Sequence, residues 1–305
     1  MTKSQILGLF GTAALGAAAF LEFGRRRKTP EPVEAEPAIP PCIFCNNESG
    51  SREHLWPDWA LRYIEKNKID LGGLRVQQGT APEEIRDNLE MTIDTVCRTC
   101  NNTWMGKIEQ KSQPRFLLML KNTPFVIDPG GMKVMTEWGV LKSIILDSTK
   151  PEMGGENFYT REERVAMRER REIPAQTRVW VGTLDEFHIG SHGTDFSLEA
   201  MQTDGSKVRI GTGIVNTLYM GYFVTQVFTE HLYPQYKELG FPPIQPPPDI
   251  CCPRLALIYP PGLKKSDWPT APFTNGGPNG IGYLLYRWKW NAKKVSKVTE
   301  RGVEE

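Results

Sequence analysis

Ile6 to Leu21 is an almost unbroken run of apolar and small residues (ILGLFGTAALGAAAFL). Extended to Gly24 it covers about nineteen residues, enough for a helix to cross a thin bilayer. Arg25-Arg26-Arg27-Lys28 follows at once, whereas only Lys3 precedes it. The positive-inside bias therefore predicts a single-pass anchor over residues 1–28, with the folded part facing the cytoplasm at the cell membrane. A signal peptide carries its charge before the apolar run rather than after it, yet Ala17-Ala18-Ala19 offers a cleavage-like site. A frayed apolar tail is the third reading. From Thr29 to Pro41 the chain turns to Pro, Glu and Ala, the composition of an extended linker.

Beyond the linker the periodicity alternates between strand and helix. Ser51 to Leu55 reads as a short strand or turn. Pro57 opens a helix through Ile64, since proline is tolerated in a first turn. Gly72-Gly73 breaks the chain. Leu74–Gln77 and Met91–Val96 are strand-like, with a charged excursion at Pro82–Asn88 between them. A helix starts near Asn101 and carries Trp104, Ile108, Phe116 and Leu117 on its apolar side. Met132–Met135 reads as a strand and Thr136–Asp147 as a helix. Thr160–Glu172 is a charged helix, with Thr160 and Glu163 in capping-box spacing. Arg178–Gly182, Thr194–Met201, Lys207–Gly211 and Ile214–Val227 make a β-rich section. Proline pairs punctuate the loops after it, and a charged tail covers 293–305. The pattern predicts an α+β protein.

The net charge is +1, so the whole molecule makes no electrostatic case for nucleic acid, and any such case must be local. The arginines of Thr160–Glu172 are the densest basic stretch, but interleaved glutamates make it a solvated face first. The six cysteines change the picture more. Cys42-Ile43-Phe44-Cys45 and Cys97-Arg98-Thr99-Cys100 are two Cys-x-x-Cys knuckles, the spacing that brings four thiolates to one zinc ion. Four thiolates close the shell of a structural zinc and leave no open position for water. Cys251-Cys252 reads as two buried small residues. His188, His192 and His231 lack partner spacing and receive no metal.

Glu53-His54 follows the first knuckle, and Asn101 directly follows the last cysteine. An imidazole titrating near neutral pH suits a general base. Carboxylate and amide oxygens suit a hard cation such as Mg²⁺. Asn101 also reads as a helix cap, His54 as a structural histidine, and Trp56, Trp59 and Trp104 as core.

The order Cys42…Cys45, Glu53-His54-Leu55-Trp56-Pro57, Cys97…Cys100-Asn101 and Trp104 resembles the HNH, or ββα-metal, endonuclease superfamily. It is most similar to the branch with zinc knuckles around the active site. The resemblance covers about seventy residues. It implies a zinc-stabilised ββα-metal module over 42–120, followed by a larger mixed α/β region over 121–292. It implies metal-dependent hydrolysis of phosphodiesters in nucleic acid, DNA before RNA, with His54 as general base. Glu53 and Asn101 would hold a catalytic divalent cation, with Glu109 as a further candidate ligand. The glutamate at 53, where aspartate is commoner in the family, moves any ion by a methylene. Glu109 could instead pair with a basic residue such as Arg98. A zinc-stabilised nucleic-acid or protein binding module without catalysis, tethered to the membrane, is the alternative.

Overall fold

The computed structural model describes residues 39–69, 92–149, 156–201, 207–234, 255–260 and 265–270. The expected anchor, the linker up to residue 38, the strand over Leu74–Gln77, the excursion at Pro82–Asn88, the Cys251-Cys252 pair and the charged tail lie outside those residues. Among the described residues no helix is long and apolar enough to cross a membrane.

Among the described residues the architecture is α+β, with three antiparallel sheets. Strand β1 (Ser51–His54) pairs with β2 (Thr92–Val96), and His54 lies opposite Thr92. Helix α1 (Asp58–Lys66) follows β1 and buries Ala60 and Ile64. After β2 comes one helical turn, Arg98–Cys100, then a π-helical stretch, Asn101–Met105, then α2 (Gly106–Leu120). The helical run thus begins before Asn101. Cys97 caps it, its sulfur accepting from the Cys100 amide, and Asn101 lies inside it.

Strand β3 (Phe125–Ile127) pairs with β7 (Ser266–Trp268). Between β3 and the next helix, Asp128 caps the Gly131 amide and Pro129 takes the first helical position. That cap starts α3 at Pro129, and it runs to Asp147. Met132–Met135 is therefore helix, not strand. Its β-like composition is overridden by a start signal three residues upstream. Helix α3 is buried nearly all round, as a helix that is apolar on every side must be. Trp138 meets Phe116 of α2 edge-on at 4.6 Å, and Phe116 stacks on Phe223 at 4.9 Å. One apolar cluster runs from Cys42 to Trp268 and is continuous across residue 120.

Helix α4 (Arg161–Arg170) carries the capping box read from sequence: Glu163 N–H donates to Thr160 Oγ1, and the Thr160 amide donates to Glu163 Oε2. Arginines in it and at its C-terminal end are engaged within the fold. Arg170 pairs with Glu172 at 2.7 Å, Arg161 donates to Asn46, and Arg171 lies 4.5 Å over the Trp104 ring.

The β-rich section is two long strands rather than several short ones: β4 (Thr177–Met201) and β5 (Lys207–Leu232). Strand β6 (Leu255–Tyr259) joins β4 at Val179–Gly182. A straight 26-residue strand would span ~85 Å. Instead the amide of Tyr233, just past β5, donates to the carbonyl of Ile210 near its start, at 2.9 Å. The ribbon therefore curls until the ends of β5 meet. A break in register between Thr183 and His188 supplies part of the bend. Opposite it Gly221 has φ +70°, and a Cβ there would lie 2.5 Å from Leu120 Cδ2. A separate cluster holds Trp180, Leu184, Val215, Val224, Phe228 and Leu255, while Val179, Val181, Phe223 and Val227 join the core that contains α3.

Candidate metal centre and the buried charge cluster beside it

The two knuckles come together as their spacing predicts. The Sγ atoms of Cys42, Cys45, Cys97 and Cys100 all lie within 4.8 Å of one another, and all four side chains are buried. Cys45 Sγ is 3.6 Å from Cys97 Sγ and 3.8 Å from Cys100 Sγ. A tetrahedron with Zn–S bonds of about 2.3 Å has edges of about 3.8 Å. The sulfurs are thus already spaced for one zinc ion. Backbone geometry sets this: the Phe44 amide points at Cys42 Sγ (3.5 Å) and the Cys100 amide at Cys97 Sγ (3.3 Å).

The electrostatics agree. Burial pushes the Cys42 and Cys100 thiols up. At Cys97 burial also pushes upward, but the Cys100 amide and the neighbouring thiols outweigh it and bring it to about 7. Four thiols this close need a dication to ionise together. The donor set fits a structural metal, with zinc the natural occupant.

The cluster fastens the first hairpin to the helix that follows it. Ile43 N–H donates to the Thr95 carbonyl at 3.0 Å and Gly50 N–H to the Asp94 carbonyl at 2.7 Å. Asn101 Nδ2 donates to Ser51 Oγ of β1 at 2.8 Å. His54 is half-buried on β1, and its ring makes no hydrogen bond among the described residues. Trp56 and Trp104 are core, and Trp59 stacks on Phe116 at 6.4 Å.

Glu53 is buried, and its Oε1 accepts from Lys142 Nζ at 2.7 Å. Glu109 Oε1 accepts from the same nitrogen at 2.8 Å. The His54 carbonyl accepts from it as well, at 2.8 Å. The structure thus brings Glu53 and Glu109 together, but around an ammonium. The side-chain hydrogen bond of Asn101 goes to Ser51, not to Glu53. The residues assigned to a divalent cation therefore do not fit one as they stand, because both carboxylates are already held by Lys142.

Burial opposes the charge on Lys142, but Glu109 and Glu53 more than offset it and hold its pKa above the ordinary lysine value. Burial pushes the Glu53 carboxyl up despite the lysine beside it. Sequence reading missed Lys142. Its signal was a single charge in the otherwise uncharged run Trp138–Leu146. A buried lysine needs an acidic partner, but nothing local says which.

The histidines set aside in the sequence have other environments. His231 pairs with Glu163 at 2.8 Å and stacks on Phe158 at 4.2 Å, while His188 Nε2 lies 3.9 Å from Glu186. The side chain of His192 lies outside the described set. Comparison of the chain with protein-family models, with curated proteins and with solved structures gives no match.

Proposed function

We propose that the chain is an HNH-type nuclease that hydrolyses phosphodiesters in nucleic acid, DNA before RNA, with His54 as general base. The observation that carries this reading is the four-sulfur cluster. It ties the strand bearing His54 to the helix bearing Asn101, and the Asn101–Ser51 hydrogen bond runs across the same junction. The His54 ring makes no hydrogen bond among the described residues, which leaves its nitrogens open to an attacking water. Zinc acts as scaffold. Any divalent ion that takes part arrives with the substrate phosphates, since Glu53 and Glu109 are engaged. The membrane tether over residues 1–28 belongs to the proposal.

The second reading is a zinc-stabilised binding module without hydrolysis. The Lys142 ammonium between the two carboxylates favours it. The test is nicking of supercoiled plasmid by the zinc-loaded chain with Mg²⁺ or Mn²⁺. Under the nuclease reading, His54→Ala lowers the rate by about 10²–10⁴-fold. Equal cutting by wild type and variant, or no cutting of DNA or RNA by either, overturns it. Retained nucleic-acid binding in the second case supports the binding module.

A further inference from the structure

Lys142 is the one cationic side chain among the fully buried residues of the described chain. Its ammonium has three protons and three acceptors: Glu53 Oε1 at 2.7 Å, the His54 carbonyl at 2.8 Å and Glu109 Oε1 at 2.8 Å. Two carboxylates and a backbone carbonyl from two chain segments are the oxygen set a hard dication selects. Here the set converges on a nitrogen whose side chain is 0% exposed.

We infer that Lys142 is a built-in cation: it occupies a latent divalent-metal site formed by Glu53, Glu109 and the His54 carbonyl, and it keeps that site metal-free. Three considerations carry this. The ammonium is tethered by α3, so an ion from solution must displace a group that never diffuses away. Displacement would strand a buried positive charge with no other acceptor among its described contacts. The oxygens also stand 2.7 and 2.8 Å from the nitrogen. That is wider than the ~2.0–2.1 Å of Mg²⁺ and nearer the ~2.3–2.6 Å of Ca²⁺. Lys142 also holds the main chain of His54 through its carbonyl. The inference rests on this cluster alone and holds whether or not the chain cuts nucleic acid.

Titration calorimetry with Ca²⁺ and Mg²⁺ on the zinc-loaded full chain tests it without any activity readout. Wild type is expected to show no Glu53-dependent binding of either ion at millimolar concentration. Lys142→Ala is expected to gain one Ca²⁺ site, preferred over Mg²⁺ and entered past Glu109, which is 24% exposed. Adding Glu53→Gln should abolish the gain. A merely structural lysine would not produce this new, Glu53-dependent site. Divalent binding by wild type that Glu53→Gln removes overturns the inference, as does a folded Lys142→Ala that binds neither ion. If Lys142→Ala does not hold its zinc, the comparison of wild type with Glu53→Gln decides alone.

Discussion

Replacing Lys142 with methionine removes one charge and keeps most of the side-chain volume. The ammonium sits 2.7 Å from one carboxylate and 2.8 Å from another. At an effective dielectric of about 20, attraction at that range is roughly 6 kcal/mol per pair. Desolvation of three charges and repulsion between the two glutamates cancel most of it. What survives is the penalty of leaving buried carboxylates uncompensated, about 3–5 kcal/mol. Glu53, 6% exposed, has no route to water, whereas Glu109 can turn outward. The expected loss at neutral pH therefore lies toward the lower end of that range.

The pH dependence has a definite sign. Burial already pushes the Glu53 carboxyl above its ordinary 4.5, and Lys142 is the main opposing pull. Without the lysine the folded-state value climbs further. A carboxyl raised in the folded state favours the fold when protonated. Lys142→Met should thus regain stability as pH falls from neutral toward 4.5, relative to wild type at the same pH. Urea unfolding of the zinc-loaded chain, followed by tryptophan fluorescence, measures both effects. Adding Glu53→Gln to Lys142→Met should recover part of the loss. A Lys142→Met chain within about 1 kcal/mol of wild type at neutral pH would refute the buried-ion argument.

The chain should bind one zinc per molecule, and Cys45→Ser should lose it. Structural zinc contributes on the order of 10 kcal/mol of folding free energy. A chain that melts identically with and without a strong chelator contradicts the assignment. Burial pushes the Glu230 carboxyl up to about 7, with Arg178 at 3.5 Å only partly opposing it. Raised from 4.5, the group disfavours the folded state as pH rises through that window, by about 3 kcal/mol once fully ionised. Glu230→Gln should therefore raise the melting temperature above pH about 7 and leave it unchanged below pH about 4.5. A variant equally stable to wild type at both ends shows that Glu230 has a compensating partner.

The knuckles show what local chemistry makes legible. Two Cys-x-x-Cys spacings identify the thiol cluster without knowledge of the fold, because each pair reaches one ion through its own backbone turn. The Thr160–Glu163 box and the helix after Pro57 are readable for the same reason: their partners lie within four residues. Met132–Met135 shows where composition misleads, since the Asp128 cap outranks it. The split of β4 into short strands failed because the gap between Gly182 and Thr194 holds the register break at Thr183–His188, which bends one ribbon instead of ending it.

By itself the sequence determined a zinc-spaced cysteine set, an α+β composition and a strand carrying Glu53-His54 ahead of a helix carrying Asn101. Only the tertiary structure decided what those acids face. Lys142 lies 89 residues from Glu53 in the chain, yet the two meet at 2.7 Å because α3 and the first hairpin share one core. The curl of β5 was decided the same way. Short-range spacing is encoded in adjacent residues, whereas the partner of a buried charge is set by which elements share a core.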